Sequence, residues 1–253
     1  MRPRVRELLD KYYPVSPDGH RYGDTSLIFY GWLLQGIDAP RAVVLNVGAG
    51  PTPTTGRRLR GSVARLIGVD PDPIVLQNED LDEAFVNDGV HLPFPDGYFD
   101  AAYSDWTVEH VHNPVPFLRE IWRVLKPGAS FWFRTNNLWH YATFASAITP
   151  NWLHRRVMPW IQSETFDRQE HDPWPTVYRM NTRKKVRSLL VDCGFSQPEI
   201  RMAEANPGAY LSFSPLLFLI GVAYERLVSN HKSLSGYRFT MCVRAAKPTS
   251  EMM

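Results

Sequence analysis

The chain has 253 residues, enough for one well-buried core and short for two full domains. Hydrophobic residues make up 44% and charged residues 21%, which excludes a disordered chain. A net charge of +2 is not the concentrated charge of a dedicated nucleic-acid binder, and two cysteines, Cys193 and Cys242, cannot build a disulfide scaffold or a structural zinc site.

The N-terminus, MRPRVRELLDKYY, carries positive charge without the apolar stretch of a secretory signal. Two short helices are expected near 5–13 and 25–34, and Pro40 ends that region. The apolar run AVVLNV at 42–47 stops at glycines and reads as a parallel strand buried on both faces. A loop with a short basic helix at 54–60 leads to a second strand, RLIGV at 65–69, ending at Asp70. Short strands follow at 84–86 and 99–104. Asn113 and Pro114 then open a helix with an apolar stripe of Phe117, Leu118, Ile121 and Leu125, stopped by Lys126-Pro127-Gly128. SFWFR at 130–134 is the next strand, 181–193 a helix stopped by Gly194, and 199–202 and 238–243 the last strands. This alternation predicts an α/β fold, a doubly wound Rossmann-like sheet with helices on both faces.

Two segments break the rhythm, 136–180 and 206–235. Long insertions in a compact domain usually serve function, so a single domain with N-terminal helices over 1–40 and two cap insertions is expected. Seven of the eight tryptophans lie between Trp106 and Trp174, four of them in the first insertion. The second holds the longest apolar run, Leu211 to Tyr224, at roughly 14 residues too short for the ~20 that span a bilayer. Its helix, starting at Ser214-Pro215, looks apolar all round. Such a helix is buried against the first insertion, forms a dimer contact or touches a membrane surface. A cytoplasmic monomer or homodimer without a spanning segment is expected.

The first strand ends in Asn46-Val47-Gly48-Ala49-Gly50-Pro51, and Asp70 follows Gly50 by 20 residues. Glycine after a buried strand lets a ligand approach the backbone, and an acidic strand tip can hold ribose hydroxyls or cap a helix. Dinucleotide binding would want a third glycine where Pro53 stands, so a nucleoside without phosphates is the better fit, S-adenosylmethionine over NAD.

The run from Asn87 to Asp100 contains D-x-x-x-LPF-x-D-x-x-FD, followed by Val108-Glu109-His110-Val111 and by Arg123-Val124-Leu125-Lys126-Pro127-Gly128. In this the chain resembles the class I S-adenosylmethionine-dependent methyltransferases of the small-molecule type, from about Ala42 to Thr135 and weakly at 192–195. The resemblance implies a mostly parallel seven-stranded sheet. Gly48, Ala49 and Gly50 would pass under the methionine part of the cofactor, Asp70 would hold the ribose and Pro71 pack on the adenine. Asp88 and the Gly89 backbone would read the adenine amino group, and Ser104, Asp105 and Trp106 would border the methyl donor. Asn46 stands where the family usually has Asp or Glu, and Thr52 replaces a further glycine.

In-line methyl transfer needs placement above all, and a base only for an acceptor that must lose a proton. His110 and His140 are the candidate bases, each with a packing role as the alternative. Trp106, Trp139, His140, His171, Trp174 and Tyr178 are candidate substrate contacts, and no metal site is expected. The expected activity is methyl transfer to a small, partly apolar molecule, an oxygen acceptor being the first choice. Alternatives are a binding module of the same fold without transfer activity, suggested by Asn46 and Thr52, and an RNA methyltransferase, suggested by Arg57, Arg58, Arg60 and Arg65. The apolar insertions argue against nucleic acid.

Overall fold

The structure is a computed structural model and describes residues 2–17, 19–53, 59–149 and 175–249. The described residues fall into two compact units. One lies within Ser26–Thr135, Val177–Arg201 and Met241–Met253, the other within Met1–Thr25, Asn136–Thr176 and Met202–Thr240.

The first unit is built on a seven-stranded sheet of β1 (Val43–Val47), β2 (Arg65–Asp70), β3 (Glu83–Val86), β4 (Phe99–Asp105), β5 (Leu125–Asn136), β6 (Glu199–Ala203) and β7 (Thr240–Ala246). Their order is β3-β2-β1-β4-β5-β7-β6. The pairs β1–β2, β1–β4, β2–β3 and β4–β5 are parallel. Backbone bonds joining Gly128 with Lys247 and Lys247 with Ala129 run β7 against β5. Val44 and Leu45 are wholly buried, as a central strand flanked by helices requires. The chain crosses from β4 to β5 through a helix (Pro114–Val124) whose Phe117, Leu118, Ile121 and Val124 are buried. At about 1.5–3 kcal/mol per side chain, that stripe suffices to hold the helix on the sheet. Asn113 makes no side-chain cap, so Pro114 alone sets this helix start. Lys126-Pro127-Gly128 lies inside β5, which therefore begins five residues before the expected Ser130.

The core on one side of the sheet gathers Phe29, Tyr30, Trp32 and Leu33 with Val44, Leu66, Ala101, Tyr103 and Trp132. The residues from 26 on belong to a helix spanning Thr25–Gln35. Trp32 and Trp132 meet edge to face with ring centres 4.8 Å apart. The Arg201 guanidinium lies 4.0 Å from the Trp32 ring centre and that of Arg244 4.8 Å from the Trp132 ring centre.

The second unit contains helices α1 (Pro3–Tyr12), α4 (Tyr141–Ile148) and α6 (Pro215–Asn230); those beginning at Thr25, Pro114 and Arg183 are α2, α3 and α5. Its core is Val5, Leu9 and Tyr13 against Phe218 and Val222. Ser214 caps α6 by accepting from the Leu217 N–H, as the Ser-Pro start implies. Burial of α6 is one-sided: Phe218, Gly221, Val222, Glu225 and Val228 are covered, and Leu216, Ile220 and Leu227 are exposed. Of the alternatives expected for this helix, burial against the first insertion falls largely on residues outside those described, and the covered face packs on α1. The expected basic helix at 54–60 and the candidates His171 and Trp174 lie mostly or wholly outside the described residues. No helix among the described residues is long and apolar enough to cross a membrane.

Candidate active site

The C-terminal ends of β1 and β4 open on a cavity of about 220 Å³ lined by Tyr30, Asn46, Gly48, Ala49, Pro53, Tyr103, Asp105 and Trp106. Such a position outside the strand ends is where open α/β sheets bind ligands. Gly48 has φ +75°, and a Cβ there would collide with the Thr107 side chain. Thr107 Oγ1 donates to the Gly48 carbonyl at 3.2 Å, so the β1 and β4 turns are clasped together. The N–H groups of Gly48 and Ala49 both donate to the Val69 carbonyl, at 2.9 and 3.0 Å. Gly50, at φ +55°, has open space where a Cβ would stand.

Asp70 is 8% exposed. It accepts from the Gly50 N–H at 2.9 Å and from the Asp72 N–H at 2.8 Å. Burial raises its pKa against these two bonds. Asp70 thus links the glycine turn to the β2 end, while Asp72 caps the short 3-10 helix Pro73–Gln77. Pro71 is exposed, and its Cγ lies 3.3 Å from where a Gly89 Cβ would be, which brings these two candidates side by side. Asp88 is engaged locally, with His91 Nδ1 at 2.5 Å and the Val90 and His91 N–H groups on Oδ1. Those bonds, the His91 ring first, pull its pKa down to about 2.

Asn46 Oδ1 is buried and accepts no hydrogen bond. Unmatched buried acceptors are rare and costly, and this one sits in the cavity wall. An amino group entering the cavity would satisfy it. Ser104 is fully buried, and its hydroxyl donates to the Val47 carbonyl at 2.8 Å, tying β4 to β1. Asp105 takes a two-point contact from Arg134, Nε at 2.6 Å and Nη2 at 2.7 Å, and a third bond from the Tyr30 hydroxyl at 2.9 Å. Burial, with the Asp105 charge second, pushes the Tyr30 phenol far above its ordinary pKa. Trp106 has φ +57°, sparsely populated for a side chain of its size. Its ring faces the Arg134 guanidinium at 4.9 Å, and its N–H donates to the Arg134 carbonyl.

The candidate histidines part company. His110 is half-buried on the 3-10 turn Val108–His110, four residues after Trp106. His140 belongs to the other unit and is 0% exposed. Its Nδ1 accepts the Ala142 N–H at the start of α4, and its Nε2 lies 3.2 Å from Glu204 Oε1. The rings of Tyr141, Tyr210, Tyr224 and Phe239 enclose it. Trp139, in the same unit, is 58% exposed. Tyr178 is half-buried in the sheet unit, and its N–H donates to the Glu109 carbonyl at 3.2 Å.

Several positioning residues escape the sequence reading. The Asn78 amide donates to the carbonyls of Ala49, Gly50 and Pro51 at 3.3, 3.0 and 3.1 Å, pinning the turn over the cavity. Thr52 accepts the Glu79 N–H and donates to the Gln77 carbonyl, which gives a reason for a hydroxyl where a glycine is usual. Glu109 is buried with Thr135 Oγ1 donating to it at 2.8 Å, and desolvation raises its pKa to about 7. An ionisable residue beside His110 in a mostly apolar stretch was the available signal for Glu109. Of the basic cluster, Arg60 is paired with Asp82 and Arg65 with Glu83, so neither offers an uncompensated charge to a phosphate backbone. Arg57 and Arg58 lie outside the described residues. Among the described residues no group of His, Cys, Asp and Glu could hold a metal ion.

The sequence model of the methyltransferase domain family matches residues 45–133. Among solved structures, one chain of a Haloferax volcanii complex containing the Trm112 methyltransferase activator is similar at 18% identity and TM-score 0.54, over 98% of this chain and 95% of that one. The [4+2]-cyclase SpnF is similar at 16% identity and TM-score 0.54, over 98% and 93%. Haemonchus contortus phosphoethanolamine N-methyltransferase 2, in complex with S-adenosyl-L-methionine, is similar at 14% identity and TM-score 0.54, over 97% of this chain and 56% of that one.

Proposed function

We propose that this chain, which carries a class I S-adenosylmethionine-dependent methyltransferase domain, transfers a methyl group to a small, partly apolar molecule, with an oxygen atom as the acceptor. The observation that carries the cofactor's placement is the unmatched Asn46 Oδ1 in a cavity walled by the Gly48 turn. S-adenosylmethionine, when bound, supplies a methyl group already activated on a sulfonium.

Asn46 Oδ1 accepts from the amino group of the cofactor's methionine part, in place of the usual carboxylate. Gly48 and Ala49 let it lie against the backbone, in the turn that Asn78 holds from behind. Asp70 keeps its turn-fixing bonds and offers its remaining lone pairs to the ribose. Pro71 and Gly89 flank the base, with Asp88 holding the Gly89 loop in shape. Tyr30, Tyr103 and Trp106 line the cavity together with Asn46 and Asp105 and would border the donor methyl and its acceptor. Asp105 is neutralised by Arg134 and serves as an anchor for Tyr30. His110 follows this wall in sequence and takes the acceptor's proton on a ring nitrogen. We assign His140 to the packing of its own unit, on its complete burial. The acceptor, like the cytoplasmic location, rests on chemistry alone.

The test is transfer of radiolabelled methyl to a panel of phenols, hydroxy acids and amines, run with the wild type and His110→Ala. Labelling of hydroxyl compounds, cut about 10²-fold or more in the variant, is expected for a general base. Labelling of amines only, or an unchanged rate in His110→Ala, overturns the acceptor or the base respectively.

A further inference from the structure

Among the described residues that line the cavity at the ends of β1 and β4, Asp105 is the one charged side chain. Asn46, at the end of β1, adds only an uncharged amide. The net charge at this end of the cavity therefore turns on what Asp105 meets.

Asp105 meets Arg134. The two are direct partners in the parallel register of β4 and β5, so the sheet itself sets them side by side. Arg134 Nε reaches one carboxylate oxygen at 2.6 Å and Nη2 the other at 2.7 Å. Arg134 is 1% exposed and stands behind the cavity wall, outside the set of lining residues. The ring centres of Trp106, Phe29 and Tyr30 lie 4.9, 5.6 and 6.0 Å from the guanidinium carbon, which leaves little room for water to screen the pair. A forked, desolvated pair of this kind presents almost no net charge to a third group. Glu109, whose carboxyl feels the charges of both members, is held toward its neutral form by burial.

S-adenosylmethionine carries a positive sulfonium, and S-adenosylhomocysteine, the product, carries a neutral thioether at the same place. We propose that Arg134 is a specificity-determining residue that acts through Asp105. It cancels the anion that would favour the sulfonium, so the cavity takes the spent cofactor about as readily as the fresh one. Occupancy then follows the ratio of the two around the protein. This inference rests on the cofactor placement proposed above, with the cofactor's sulfur at the Asp105 end of the cavity.

The test is calorimetric titration of the full chain with S-adenosylmethionine and with S-adenosylhomocysteine. The wild type should hold the two within about tenfold of one another. Arg134→Gln strips Asp105 of its partner and should move the ratio toward S-adenosylmethionine by about tenfold or more, the reach of one unit charge across several ångströms of protein. Asp105→Asn leaves Arg134 as the uncompensated charge and should move the ratio the other way. The two substitutions together should restore the wild-type ratio. A merely structural pair would weaken both ligands alike and could not give shifts of opposite sign. Should one single variant fail to fold, the other must show its own sign and the double variant must reverse it. A ratio unmoved in the variants, a shift of the same sign in both, or a wild-type preference for S-adenosylmethionine beyond tenfold overturns this inference and leaves the cavity reading standing. Failure of the wild type to bind either compound overturns the cavity reading, and this inference with it.

Discussion

Glu109 is a carboxyl in surroundings that do not favour its charge. A buried carboxyl with one hydroxyl donor is cheaper to keep protonated than ionised, and its pKa stands at about 7. Because the folded pKa lies above the unfolded value near 4.5, the folded state holds more protons between those two pH values. Stability from this group is then full below about pH 4.5, declines as pH rises to about 7, and is flat above. The total is of the order of 3 kcal/mol. Glu109→Gln keeps the acceptor for Thr135 and removes the titration. Its thermal midpoint should fall less than that of the wild type between pH 5 and pH 8; equal falls in both proteins would refute the assignment. The candidate site was legible mainly where backbone demands a residue type, as at Gly48, or where a strand tip puts a side chain at the sheet edge, as at Asn46, Asp105 and Trp106. Asn78 acts through space, across about 28 residues of sequence, and no local pattern announces it, whereas Glu109 stood in view as an ionisable residue in an apolar stretch, although its burial did not.

Among the elements, β4 and β5 are joined by more than their ladder. Arg134 on β5 is 1% exposed and grips Asp105 at the end of β4 from two nitrogens. Removing one member of a buried ion pair strands the other, at a cost of about 3–5 kcal/mol. Arg134→Met should lower the urea midpoint by that measure with an unchanged slope, and adding Asp105→Asn should recover part of the loss. A single variant within about 1 kcal/mol of wild type would show that the pair is not buried in solution. The strands themselves were readable because parallel strands covered on both faces are continuous apolar runs, such as AVVLNV. The start of β5 was not, because Lys126-Pro127-Gly128 carries the composition of a stop signal and its pairing with Lys247 is settled by tertiary contact. The one-sided burial of α6 was hidden for a related reason: a helix apolar on every side does not say which side its neighbour will take.

Taken as a whole, the chain was expected to be one domain with caps, and its described residues gather into two units, each with its own core. The division passes between α1 and the body of α2, so the N-terminal helices belong to different units. Composition cannot report this, since both units draw on the same apolar alphabet. Ligand linkage acts on the molecule through the unit that holds the cavity. S-adenosylhomocysteine at about 100 times its Kd should stabilise the folded state by about 2.7 kcal/mol, a rise of roughly 5–11 °C in Tm for a chain of this size. Scanning calorimetry with and without the ligand measures it, and an unmoved transition would mean that the cavity does not bind the nucleoside.

The crossed indoles of Trp32 and Trp132 have an optical consequence. Two identical chromophores 4.8 Å apart and nearly perpendicular couple their excited states, and the rigid, chiral frame around them turns that coupling into circular dichroism. Arg201 and Arg244 hold one ring each, so the couplet lasts only while β5, β6 and β7 keep their places. Neither indole lines the cavity, and the signal therefore reports the integrity of the sheet separately from its occupancy. The chain contains its own spectroscopic gauge of folding, needing no label.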